Sequence, residues 1–157
     1  MSAETRLGRL ADTPAQVGLP DGVRDPIRPE WFAGRREARL GTGVGVTQFG
    51  VNHVTLAPGA VSSLRHWHEQ EDEFVYVLAG DMVLIDETGE HPLTAGDYAG
   101  FPAGAANAHH LINRSTAPAE FLAVGARHRG LERVHYPDDP RLGVTSIERD
   151  AGGIRVG

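Results

Sequence analysis

A chain of 157 residues, 40% of them hydrophobic, has room for one domain with a sizeable core and is too apolar for a disordered segment. The net charge of −6 argues against a nucleic-acid binder, the lack of cysteine excludes disulfides and thiolate metal sites, and the lack of lysine (all fifteen basic residues are Arg) excludes Schiff-base chemistry. No apolar run approaches bilayer length and "MSAETRLGRLADTP" has no signal-peptide core, so a cytoplasmic protein is expected.

Residues 1–40 are rich in Pro and Gly and show no sustained period. They read as an extended arm with a short helix near Ala3–Ala11, and Trp31 and Phe32 are the side chains able to anchor it on the body of the protein or on a second subunit. Residues 41–127 change texture. Short β-rich runs such as "TQFGVNHVTL", "EFVYVLA", "DMVLID", "HHLINRS" and "EFLAVGAR" alternate with turn signals such as "APG", "ETG" and "PAG". Many short strands without helical periods predict an antiparallel sandwich or barrel. Residues 128–157 turn polar again and read as a C-terminal extension, with "VHYPDDPRLG" as a surface segment.

The run "HWHEQEDEF" at 66–74 carries the chemistry. Side chains alternate on a strand, so His66 and His68 share a face and can share an ion. Glu73 is five residues past His68, the wrong parity for one straight strand. A turn within "EQED" restores it and starts a new strand with Glu73, Val75 and Val77 facing inward. Glu71 and Gln70 are the alternative ligands at this step. In "HHLINRS", His109, Leu111 and Asn113 share one face and His110 and Ile112 the other. Three imidazoles and a carboxylate make a His3Glu site suited to one divalent ion such as Fe, Mn, Ni, Zn or Cu. Trp67 and His110 fall on the faces opposite the ligands and are expected in the wall. Tyr76 is expected to pack outward, and Tyr98 and Phe101 to line the mouth. His53, His91, His128 and His135 fit no motif.

The spacings also resemble a known family. Gly59, six residues, His66-Trp67-His68, four residues, Glu73, six residues and Gly80 follow the first cupin motif. Gly96, five residues, Pro102-Ala103-Gly104, four residues, His109, three residues and Asn113 follow the second. The chain resembles a single-domain cupin, and more narrowly the bacterial cupins labelled sugar phosphate isomerases. The resemblance implies an all-β jelly-roll barrel with His66, His68, Glu73 and His109 as metal ligands. The extra two residues after Gly104 leave His110 as the alternative to His109.

Three functions fit. The first is a metal-dependent isomerase acting on a sugar or sugar phosphate, with the ion on substrate oxygens and a nearby base, for which Glu71 is the candidate, moving a proton between carbons. The second is an Fe(II) dioxygenase. The third is a non-catalytic module binding a small molecule in the barrel. A phosphorylated substrate calls for inward Arg, and the nearest candidates, Arg65 and Arg114, have outward parity, so no inward Arg pair is expected. A homodimer is expected, its arm crossing to the partner or covering a sheet edge. Neither nucleic acid nor membrane is expected as a partner.

Overall fold

The structure, a computed structural model, describes residues 4–19 and 28–149, and the backbone of 150 and 153–156. Two short helices, α1 (Glu30–Ala33) and α2 (Leu40–Gly43), and a 3-10 turn at Leu10–Asp12 are its helical pieces. The strands are β1 (Ala15–Val17), β2 (Arg35–Arg39), β3 (Phe49–Leu56), β4 (Trp67–His68), β5 (Glu73–Ala79), β6 (Asp81–Asp86), β7 (Gly89–Thr94), β8 (Tyr98–Phe101), β9 (His110–Ile112), β10 (Ala119–Ala126), β11 (Gly130–His135), β12 (Val144–Asp150) and β13 (Gly153–Val156). No helix among the described residues is long and apolar enough to cross a membrane.

All pairings are antiparallel. Six strands form a sheet in the order β1-β2-β3-β10-β5-β8, four form β13-β12-β11-β4, and three form β7-β6-β9. A single bridge between His66 and His109 links the strand ends of the two smaller sheets. The core lies between the large sheet and the three-stranded one: Val54, Leu56, Val75, Val77 and Phe121 meet Met82, Leu84 and Leu111. Full burial of each such side chain is worth about 1.5–3 kcal/mol. The all-β architecture expected from the strand texture is the one observed.

Three local expectations are revised. Residues 4–9 form no helix, and Ala3 lies outside the described residues. The segment contains Gly8, and a helix of so few residues is marginal without packing. Residues 35–39, which composition groups with the arm, pair with β3 along their whole length. Residues 130–150 form two strands, and β11 pairs with β4, which carries His68. Trp31 and Phe32 pack within this chain, where Phe32 joins a second small cluster with Val61 and Leu64.

The β5–β6 hairpin turns at Gly80, whose φ of +76° is left-handed. A Cβ there would sit 2.6 Å from the Pro118 carbonyl oxygen. Gly80→Ala is therefore expected to cost about 1–3 kcal/mol and lower the melting temperature. An unchanged melting curve would show that the 118–119 backbone yields without cost.

Candidate metal centre and its cavity

Four elements bring the site together. His68 lies on β4, Glu73 opens β5, and His66 and His109 face each other across the isolated bridge. The turn at 69–72 moves the chain from β4, paired to β11, onto β5, paired to β10. That change of sheet aims Glu73 back at the histidines despite the odd spacing.

The Glu73 carboxyl is the hub. Its Oε1 lies 3.3 Å from His66 Nε2 and 3.1 Å from His68 Nε2, and its Oε2 lies 2.7 Å from His109 Nε2. The opposite ring nitrogens fix the tautomers. His66 Nδ1 is 2.8 Å from the Leu64 carbonyl and His109 Nδ1 is 2.8 Å from that of Asn107. A carbonyl only accepts, so each Nδ1 carries the hydrogen, and in the neutral ring Nε2 presents a lone pair. Lone pairs and a carboxylate at these distances need positive charge among them. A proton on one imidazole provides it, and so does a divalent ion with nitrogen and oxygen ligands. The donor set fits a first-row divalent metal held by His66, His68, Glu73 and His109.

The same geometry sets the protonation. Burial pushes the Glu73 carboxyl up, but the His66 charge and the close approach of the His109, His66 and His68 rings outweigh it and hold the group well below the usual carboxylate range. Burial lowers His66, yet the Glu73 charge and the hydrogen bonds to Glu73 and Leu64 leave it raised.

His68 is supported differently. Its Nδ1 is buried without a hydrogen-bond partner. The nearest acceptors are Glu132 Oε1 at 3.5 Å and Glu71 Oε2 at 3.8 Å. His68, Glu71 and Glu132 could form a second ligand group by distance alone. Their oxygens are already engaged, however. Glu132, fully buried, accepts from the backbone N–H of Glu69 and of Gln70, both at 2.9 Å. Glu71 accepts from Arg149 at 2.6 and 3.0 Å and from the His128 backbone N–H at 2.9 Å. These two carboxyls lie behind His68, the side from which outer groups orient a metal-binding imidazole. Glu71, the candidate base, thus sits behind His68 in a two-pronged pair with Arg149.

The remaining residues fall as follows. His110 also lines the cavity, but its Nδ1 donates to the Ser63 carbonyl at 2.9 Å and it makes no bond to Glu73. Trp67 stacks on His135, with ring centroids 3.9 Å apart. Phe101 stacks on His109 at 3.5 Å and walls the site. Tyr98, expected at the mouth, is 69% exposed and stacks on Phe74 on the outer face, because β8 turns that parity outward. His53 faces Glu120, and His91 bonds to Asp86. Asn113 is fully buried and brackets a turn: its amide donates to the Leu56 and Ala117 carbonyls and its oxygen accepts from Ser115.

His66, His68, Glu73 and His109 open onto a cavity of about 390 Å3 between the sheets. Its lining corrects the expectation of no inward Arg: Arg35, Arg39, Arg127 and Arg149 all face it. Arg65 and Arg114 are spent elsewhere, Arg65 on Glu87, Asp138 and the Ala108 carbonyl, and Arg114 on Glu90. Tyr136 was also missed. Its ring lies 5.8 Å from that of His66, and burial, then the Glu73 charge, push its hydroxyl up to about 12.

A family model described as a cupin domain matches residues 52–125. A solved structure of a cupin-superfamily sugar phosphate isomerase from Silicibacter pomeroyi is 42% identical, with 95% of this chain and 90% of that chain covered and a TM-score of 0.81. A structure provisionally named a sugar phosphate isomerase, from Acidithiobacillus ferrooxidans, is 31% identical over 82% of this chain and 78% of its own, with a TM-score of 0.69. An oxalate-binding protein of Thermotoga maritima is 38% identical over 69 residues, which span 44% of this chain and 54% of that relative. Likeness of this extent, with both His-bearing motifs inside the matched region, shows that the chain belongs to the cupin superfamily.

Proposed function

We propose that the protein is a metal-dependent isomerase that moves a proton within a sugar or sugar phosphate. The observation that carries this reading is the coexistence of a His3Glu group and inward arginines on one cavity of about 390 Å3, a volume in the range of small-metabolite sites. The names of the two solved relatives support it.

His66, His68, Glu73 and His109 would hold the divalent ion, which would supply Lewis-acid polarisation of a carbonyl. The protein residues supply the rest. Phe101, Leu111 and Phe121 give the cavity an apolar wall. Tyr136 keeps its proton at neutral pH and is placed to donate a hydrogen bond to a substrate oxygen. Glu71 reaches the substrate as the base only by leaving its two-pronged pair with Arg149.

The test is to incubate the metal-loaded protein in D2O with hexose and pentose phosphates and follow exchange at carbon by NMR. Exchange that disappears on metal removal is the expected result. Its absence, with oxygen uptake by the Fe(II) form, would assign a dioxygenase instead. A second reading, a non-catalytic binder of a small carboxylate, is favoured by one observation: Glu71 is clamped by Arg149 rather than free. The oxalate-binding relative supports that reading too. Binding without exchange or oxygen uptake is its outcome.

A further inference from the structure

We propose that Arg127, flanked by Arg39 and Arg149, forms an anion-binding subsite in the same cavity, separate from the metal ligands, that holds a phosphate or carboxylate of the bound metabolite. The proposal rests on the cavity being a ligand site, and not on isomerisation.

Sheet register gives the placement. Glu73 lies opposite Gly125 on β10, and Gly125 lies opposite Gly50 on β3. Two strand spacings, about 10 Å, therefore separate the backbone of Glu73 from that of Gly50. Neither glycine carries a side chain, so the floor between these points is bare. At its far end stands Arg127: a Cβ on Gly50 would meet the Arg127 guanidinium at 3.5 Å. Arg39 is one register step along, opposite Asn52. A molecule spanning this floor has one end at the histidines and the other at Arg127.

Charge explains what the far end takes. Arg35 is committed to Glu37 and to the carbonyls of Ser62 and Gly18. Arg39 shares Glu37 at 3.3 Å and donates to Gln16, and Arg149 holds Glu71. Arg127 makes no ion pair among the described residues, and its one side-chain hydrogen bond is a 3.5 Å contact with the Thr42 hydroxyl. Burial, then the neighbouring Arg149 and Arg39 charges, disfavour its charged form and outweigh the favourable charge of Glu71. A partly buried guanidinium beside two others is relieved by an anion, and its planar fork matches phosphate and carboxylate in a two-pronged way. Asn52 adds a polar group on the same wall, and its Oδ1 is buried without a partner. Rotation of that amide presents its NH2 to the anion. Phosphate and carboxylate share this chemistry, so the structure assigns the anion and the experiment assigns its source.

The probes are inorganic phosphate and oxalate, titrated separately by calorimetry into metal-loaded protein in a buffer free of either. At least one is expected to bind, more weakly as salt rises. Arg127→Gln is expected to weaken that anion about tenfold or more, and Arg127→Lys, which keeps the charge and loses the fork, to weaken it several-fold. Arg133→Gln, on the exposed face of β11, is the control and leaves binding unchanged. The double variant His66→Ala, His68→Ala is expected to lose exchange activity and keep phosphate affinity, which separates this subsite from the metal reading. Thermal melts of each variant establish that it is folded. Binding of neither anion overturns the proposal, as does a folded Arg127→Gln protein with wild-type affinity.

Discussion

Glu132→Ala is expected to destabilise the protein by about 3 kcal/mol or more, with or without metal. Three costs combine. The Gln70 backbone N–H loses its acceptor and the Glu69 N–H keeps only the Arg133 carbonyl, each lost hydrogen bond to the carboxylate being worth about 1.5–3 kcal/mol. A fully buried glutamate side chain leaves a void, and the residual cavity adds its own term. The carboxyl nearest His68 Nδ1 is also removed, so the ring loses an orienting contact. For a chain of this length each kcal/mol moves the melting temperature by about 2–4 °C, so a fall of roughly 10 °C is expected. Glu132→Gln keeps an acceptor but turns an NH2 toward a backbone donor, and is expected to lose less. Metal affinity should also fall about 10–100-fold in either variant, as when other outer supports of metal ligands are removed. Denaturant unfolding and metal titration read the two effects separately. A loss below about 1 kcal/mol for the alanine variant would show that water replaces the carboxyl at the 69–70 turn.

This residue also shows where the sequence stops being legible. "GLERVHY" alternates, but both faces are mixed: Glu132, Val134 and Tyr136 point inward, while Leu131, at 50% exposure, points out. Parity cannot rank two faces that each hold one aliphatic residue and one charge. Only pairing with β4 sets the face, and that pairing joins residues more than sixty positions apart. "RREAR" behaves alike. Arg35, Glu37 and Arg39 form the inner row because β2 lies on β3, and no apolar residue in the run marks that face. The inward arginines were invisible for this reason. The cluster of three histidines and Glu73 was legible because its signal is local. His66 and His68 keep the period of a strand, His109 shares a face with the buried Leu111 and Asn113, and Glu73 continues into the buried Val75 and Val77. The turn residues were legible as well, since Gly59, Gly80, Gly96 and Gly104 all take positive φ. What the motifs did not carry was the surroundings of that cluster beyond Glu71, because Glu132, Tyr136 and Arg149 all come from the polar tail.

Removing the ligands is expected to abolish metal-dependent stabilisation. A divalent ion present at about a hundred times its dissociation constant stabilises the folded chain by about 2.7 kcal/mol, because the unfolded chain has no assembled site. His66→Ala, His68→Ala takes away two of the three nitrogens that face Glu73, so this increment should vanish and elemental analysis should find no ion. The pH dependence follows from the pKa directions. In the metal-free protein His66 is raised, so its pair with Glu73 contributes stability that is fully present below the ordinary histidine value and is lost as pH rises through the folded value. Glu73 is depressed, so its contribution is present above the ordinary carboxylate value and is lost as pH falls through the folded one. Between those limits the proton on His66 does part of the work of an ion and competes with it. Metal binding must displace that proton, so the melting-temperature gain on adding metal should be larger at pH 8 than at pH 6. The double variant should show no gain at either pH. Its metal-free stability should also lose the acid-side contribution of the His66–Glu73 pair. A double variant that keeps one ion per chain, with a wild-type melting shift at both pH values, would place the ion at another set of ligands.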